Sequence, residues 1–323
     1  MQNLNWKPFA AFAICVIAAP YLAGNPYYLL LLTFAGIYAI VSVGMCLLIG
    51  YAGQISLGHA AFFALGGYTS AILTTKFHFP VWAGFISAIS ITALTALLIG
   101  LPTLRLRGHY LAMATLGFGE IVFHIVQSNI KLTGGASGIS SVPPLSFFGF
   151  DMTSGDGLYY YYLVWAVVAL EIIFAFNLIR SRPGRALRSI HGNEDAANAC
   201  GINTAAYKLK IFVFSATMAA LAGFLYAHKE KFIGVNTSEL MFSIILVAMV
   251  AVGGMANIWG TLVATVLLAL LPEFLRAVKE MDILAYGLII MLFMIFMPEG
   301  IFSGLAMLAR KAAGKLTALK NKA

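Results

Sequence analysis

The sequence predicts an all-α, polytopic membrane protein of about ten transmembrane helices with both termini in the cytoplasm. Three observations carry this expectation. Hydrophobic residues fill 61% of the 323 positions and charged ones only 10%, with a mean hydropathy of +0.91, a balance foreign to soluble domains. Uncharged stretches of the length that crosses a hydrocarbon core, roughly 20 residues, recur along the chain. The basic residues behind the net charge of +8 gather at segment ends and in two clusters, a pattern of membrane orientation, so no nucleic-acid partner is expected.

Apolar stretches bounded by Gly, Pro or charge place spans near residues 9–24, 28–49, 54–75, 81–101, 109–130, 158–179, 211–228, 239–256, 258–276 and 283–303. The first resembles a cleavable leader, but a second long apolar segment follows at once, so a retained helix is expected. One basic cluster, Arg180, Arg182, Arg185, Arg188, Lys208 and Lys210, lies in a loop at about 180–210. The other, Arg310, Lys311, Lys315, Lys320 and Lys322, forms the tail. An even number of spans separates them, so both fit the cytoplasmic side, and Arg105 and Arg107 fall there too. The loop 131–157 is then external, with one lysine against Asp151 and Asp156, and Tyr159 to Tyr162 mark the outer aromatic belt. The whole of 1–323 reads as a single membrane domain. Cys15, Cys46 and Cys200 have no CxxC spacing, and neither a disulfide, a metal site nor a cofactor is expected.

The basic loop is the most informative segment. Pro183 and Gly184 are expected to end the sixth span. Arg185 to His191 can form a short helix, and Asn193 can cap a second that opens with Glu194 and Asp195, whose charges suit a helix N-terminus. By composition alone this is a solvated positive-inside loop. Its spacing says more: Asp195-Ala196-Ala197, three residues, Gly201, nine residues and Ile211 resembles the coupling motif of ABC importer permeases. In that motif an acidic-Ala-Ala helix enters a cleft of the ATPase subunit. Asp stands here where the motif usually has Glu, and Phe212 and Val213 replace a frequent Leu-Pro.

Further segments extend the resemblance over most of the chain: G-Y-A-G-Q-I-S-L-G-H-A-A-F-F-A-L-G-G-Y from Gly50, L-R-L-R-G-H-Y-L-A-M-A-T-L-G-F-G-E from Leu104, and L-T-G-G-A-S-G-I from Leu132. The run G-I-N-T-A-A-Y-K-L-K from Gly201, V-G-G-M-A-N-I-W-G-T from Val252 and M-P-E-G-I-F from Met297 complete it. Together they resemble the M-type permease subunit of the high-affinity branched-chain amino-acid (Liv) ABC importers; urea and short-chain amide permeases are similar. The resemblance implies a multi-pass subunit of a bacterial inner (plasma) membrane that moves Leu, Ile or Val inward by alternating access. It implies as partners two ATP-binding subunits, a second homologous permease subunit, an external substrate-binding protein and membrane lipid. It also implies an ATPase-coupling role for Arg185, Arg188, Glu194, Asp195, Ala196, Ala197, Gly201 and Ile211.

Residue types alone add candidates for a translocation path. Ser56, Ala60, Ala64 and Gly67 share a helix face of small side chains that lets another helix approach closely. Gln54, Ser56 and His59 put polar groups at the start of that helix, where N–H groups and the dipole could meet a carboxylate, as an inner gate or exit site. Glu120 falls mid-span, with His124 and Gln127 on the same side, a stripe that must face protein or water, either as an interhelical network or as lining of the path. Glu171 reads as an interhelical partner.

Two other classes are weighed. Gly135-Ala136-Ser137-Gly138 matches the GxSG of rhomboid-type proteases, but Pro143 and Pro144 follow where that Ser should open a helix. An ion-coupled secondary transporter could use a buried Glu and His, yet it needs no docking helix of this spacing. Neither HExxH nor GxxxxGK[ST] occurs, so the energy is expected to come from another polypeptide: the chain reads as a transporter subunit and not an enzyme, with ATP hydrolysis expected in separate subunits.

Overall fold

The computed structural model describes residues 6–104, 108–147, 150–152 and 157–275, with 287, 288, 291 and 300. The expected tenth span, apart from those last four positions, the basic tail, Arg105 and Arg107 lie outside the described residues. The helices are α1 (Trp6–Ala23), α2 (Pro26–Cys46), α3 (His59–Thr75), α4 (Val81–Thr103), α5 (His109–Ser128), the single turn α6 (Ile130–Thr133), α7 (Leu158–Arg180), α8 (Arg182–Gly192), α9 (Glu194–Ala199), α10 (Thr204–Glu230), α11 (Leu240–Gly253) and α12 (Ile258–Leu275). Each of the nine spans expected within these residues contains a helix. Among the described residues, five helices are long and apolar enough to cross a bilayer: α2 with its extension to Tyr51, α4, α5, α7 and α10.

Two helices form the axis. Asn25 caps α2 by accepting from the Tyr27 N–H at 3.0 Å, and Pro26 stands in the first turn, where its missing N–H costs nothing. The run that follows is apolar on every side, which suits only a surrounded helix, and 83% of its spanning window is buried. A wider π turn at Leu47–Tyr51 lengthens α2, and Cys46 Sγ and Tyr51 Oη tie it to the carbonyls of Met255 and Ala256 in the α11–α12 turn. Helix α10 is the second axis: α3 and α4 pack on it, while α7, α11 and α12 pack round α2. Helix α5 sits at the rim, with only 22% of its window buried.

Three boundaries differ from expectation. The third span begins at His59 rather than 54, because Gly53 turns the chain at φ 67° and residues 53–58 run without regular structure. The sixth ends at Arg180, before Pro183 and Gly184, which instead open α8. Helix α10 starts at Thr204, since Asn203 caps it by accepting from the Ala206 N–H at 3.0 Å, and so takes in Lys208 and Lys210.

The small-residue face of α3 meets α10 with backbones in contact: a Cβ built on Gly66 would lie 2.4 Å from Ala220 Cα, and one on Gly223 1.9 Å from the Phe63 carbonyl oxygen. One end of the bundle gathers Gly53, Gly108, α8, α9 and Lys208. The opposite end gathers the loop after α5. There β1 (Ile139–Ser140) pairs antiparallel with β4 (Phe232–Ile233), and β2 (Ser146–Phe147) with β3 (Phe150–Asp151). The Lys76 ammonium donates to the Leu132 carbonyl at 2.8 Å, and His228 is clamped between Ser70 Oγ at 2.8 Å and the Pro143 carbonyl at 2.7 Å. A carbonyl can only accept, so Nδ1 of His228 carries the proton and Nε2 accepts from Ser70.

Candidate coupling and translocation sites

Helices α8 and α9 form at the positions the loop sequence suggested. In α8, Gly184, Ala186, Leu187 and Ile190 turn inward and the arginines outward, so the helix lies flat on the bundle end. Arg188 donates to the Ile179 carbonyl at 3.0 Å and its guanidinium lies 5.6 Å from the Tyr51 ring centroid; Arg185 reaches the Arg180 carbonyl at 3.4 Å. These contacts satisfy the carbonyls left open where α7 ends, so both arginines hold α8 in place while staying exposed. Asn193 caps α9 by accepting from the Ala196 N–H at 3.0 Å.

The acidic-Ala-Ala turn divides by side. Asp195 and Ala196 are exposed, whereas Ala197 is 3% exposed and packs into the chain's own core, as does Ile211. Ala197 is therefore not on the outward face of α9, and a bulky residue there would disrupt this chain before it touched a partner. Gly201 turns the chain at φ 81° with open space around it, so its requirement is conformational and not steric. Glu194 pairs with the ammonium of Lys208, which is 6% exposed, and accepts from Thr204 Oγ1 at 3.3 Å. Lys208 thus belongs to a buried ion pair and not to the exposed basic patch. Nothing in the sequence separated it from its neighbour Lys210.

The path candidates split into two groups. Gln54, Ser56 and His59 are all buried within the chain. His59 Nε2 lies 2.8 Å from Ser215 Oγ on α10; the Leu57 N–H donates to Thr115 Oγ1 on α5 and the Ala60 N–H to Ser243 Oγ on α11, each at 3.0 Å. Contrary to expectation, Gln54 and Ser56 precede α3, and the first turn of α3 is partly capped by Ser243 rather than left open to a carboxylate. Irregular backbone inside a bundle has to find such partners, and three neighbouring helices supply them.

Glu120, His124 and Gln127 lie on the opposite side of the bundle wall. Leu111, Thr115, Val122 and Val126 are the buried face of α5; Glu120 is half-buried, and His124 and Gln127 are exposed. The stripe therefore faces out of this chain rather than into an internal network. Glu171 does the reverse: it is 5% exposed, and neither carboxyl oxygen has a hydrogen-bond partner among the described residues, so the expected interhelical partner is absent there. No group of three metal-ligating side chains occurs among the described residues.

Comparison with known proteins places this architecture. The high-affinity branched-chain amino acid transport system permease protein LivM of Salmonella typhimurium is 32% identical over 290 residues, covering 83% of this chain and 68% of that protein. LivM of Escherichia coli is similar to the same extent. The permease protein LivH of Escherichia coli is 26% identical over 294 residues, 83% of this chain and 92% of its own length. No solved structure matches the chain. The family described as "Branched-chain amino acid transport system / permease component" matches residues 27–297, which is most of the sequence, and the chain belongs to it.

Proposed function

We propose that the chain is one of two homologous permease subunits of an ATP-driven importer that carries leucine, isoleucine and valine inward across a bacterial inner membrane. The single observation that carries the substrate is the 32% identity to M-type branched-chain amino acid permeases over 83% of the chain. That H-type permeases are also relatives supports a pair of different but homologous subunits. The end bearing α8 and α9 faces the cytoplasm, with both termini on that side, and the exposed Asp195 and Ala196 enter one of two ATP-binding subunits. Arg185, Arg188, Glu194 and Gly201 position that turn. An external binding protein delivers solute to the opposite end, over the loop 131–157.

The solute path lies between the two permeases, along the outward stripe of Glu120, His124 and Gln127, while Gln54, Ser56 and His59 support it from inside. A charged carboxyl group half-exposed on a spanning helix is costly against lipid and tolerable against water or a partner subunit. Reconstitution tests the assignment: proteoliposomes holding this chain, an H-type partner and the ATPase subunits receive binding protein loaded with leucine. Leucine-stimulated ATP hydrolysis with uptake is the expected result. Stimulation by urea or acetamide instead, or uptake driven by a proton gradient without ATP, overturns it.

A further inference from the structure

A small polar cavity of about 100 Å³ lies where the non-helical segment 53–58 meets the coupling helices, lined by Gln54, Gly108, Leu111, His191, Glu194 and Lys208. Three observations single it out. The side chain of Gln54 is 2% exposed, yet neither its Nε2 nor its Oε1 has a hydrogen-bond partner among the described residues. The Glu194–Lys208 ion pair stands in the same cavity wall, and Glu194 belongs to α9, the helix offered to the ATPase. The third is steric: a Cβ on Gly53 would lie 2.9 Å from His191 Nδ1, so the penultimate residue of α8 stands against the turn beside Gln54.

A buried amide without partners costs stability, and a chain selected for stability alone would place an apolar side chain there. Aimed into a polar cavity beside the Glu194–Lys208 pair, the amide can instead serve a second arrangement of the same groups. We propose that Gln54 is a positioning residue for coupling, the point at which movement of α8 and α9 is handed to the segment that carries the base of α3. This rests on the docking role of α9 proposed above. In the arrangement seen here Glu194 is held by Lys208 and the Gln54 amide faces the cavity. When the ATPase draws α9 away, Glu194 shifts from Lys208, the amide takes up the vacated partner, and His191 carries the displacement to Gly53. The cavity, with room for about three waters, leaves space for that exchange. From Gln54 the displacement reaches Leu57 and Ala60, whose N–H groups are fixed to α5 and α11, and so reaches the rim helix bearing Glu120.

The test uses the complete importer. Gln54→Met keeps length and volume but removes the amide. The expected result is a melting temperature at or above that of the unaltered protein, undiminished capture of the ATPase subunits, and a fall of about fivefold or more in the ratio of solute-stimulated to basal ATP hydrolysis. His191→Ala, which leaves the cavity amide intact but removes the contact on Gly53, is expected to lower the same ratio with capture preserved. Should Gln54→Met fail to assemble, the His191→Ala ratio decides. An unchanged ratio in the assembled variants overturns the inference. Failure of the unaltered chain to capture any ATPase sinks the docking reading instead, and the two failures are thereby distinct.

Discussion

Gly223→Ala puts a single methyl group where α3 and α10 cross. Its Cβ would stand 1.9 Å from the Phe63 carbonyl oxygen and 3.1 Å from the Gly67 amide nitrogen. An ordinary carbon-to-oxygen approach is about 3.3 Å, so the helices must part locally by about 1.4 Å. The atoms in the way are backbone and cannot swing aside as a side-chain tip would. A gap of even 0.5–1 Å forfeits roughly a quarter to a half of the dispersion energy along such a contact, and over-filling a packed interface by one methyl group costs about 1–3 kcal/mol. We expect the upper end, about 3 kcal/mol, because Gly66 on the same crossing also rests on α10 backbone and has to move with Phe63. Thermal unfolding of the detergent-purified protein measures it, and a fall of about 4 °C is expected for a chain of this size. Gly117→Ala is the control, since nothing lies within 4 Å of its Cβ and helix propensity favours alanine. If Gly223→Ala melts within about 1 °C of the unaltered protein, the close crossing is not what holds α3 to α10.

Three further outcomes follow from named contacts. Ala196→Arg, on the exposed side of α9, should abolish pull-down of the ATPase subunit while leaving the melting temperature within about 1 °C, because surface changes of this kind rarely exceed 0.5 kcal/mol; retained capture would remove Ala196 from the docking face. Glu120→Gln keeps shape and removes charge, so uptake should fall with no change in assembly, whereas lost association with the second permease would reassign the stripe to the subunit contact. His228→Leu removes both the bond to Ser70 and that to the Pro143 carbonyl, at a cost of about 1–3 kcal/mol each if the partners stay buried, and limited proteolysis should then cut faster within 139–147; an unchanged rate would mean that the β1–β4 pairing alone holds that loop.

Much of this architecture is legible in the residues because membrane spans are written in long runs and helix ends in single letters. Asn193 announced α9 as its cap, from a local rule that tertiary packing did not override. Where the reading slipped, the cause was non-local. The segment 54–58, Gln-Ile-Ser-Leu-Gly, carries no charge that would mark it off from the apolar run after it, and only the partners supplied by Thr115, Ser215 and Ser243 let it and the start of α3 settle at their observed boundary. Pro183 is a helix breaker within a run but a favourable first-turn residue, and which applies depends on where the preceding helix stops. Facing direction was the other limit. Ala196 and Ala197 are indistinguishable as letters, yet one is exposed and the other is core; likewise Lys208 is buried in an ion pair two positions from exposed Lys210. His228 gave no sign at all, being one of six histidines with no motif around it.

The partners of the α3 base also set an order of events during synthesis. The His59 ring and the Ala60 N–H need company in a low-dielectric setting, but Ser215 and Ser243 are translated 156 and 183 residues after the groups they meet. At about 5–20 residues per second, this leaves α3 for roughly ten to forty seconds without the hydroxyls that satisfy it. A segment of 17 residues with polar groups at one end is a poor candidate to release into lipid alone during that interval. The insertion machinery, or the membrane surface, has to hold α3 until α10 and α11 arrive, so the chain is built into the bilayer as a set of helices and not one span at a time.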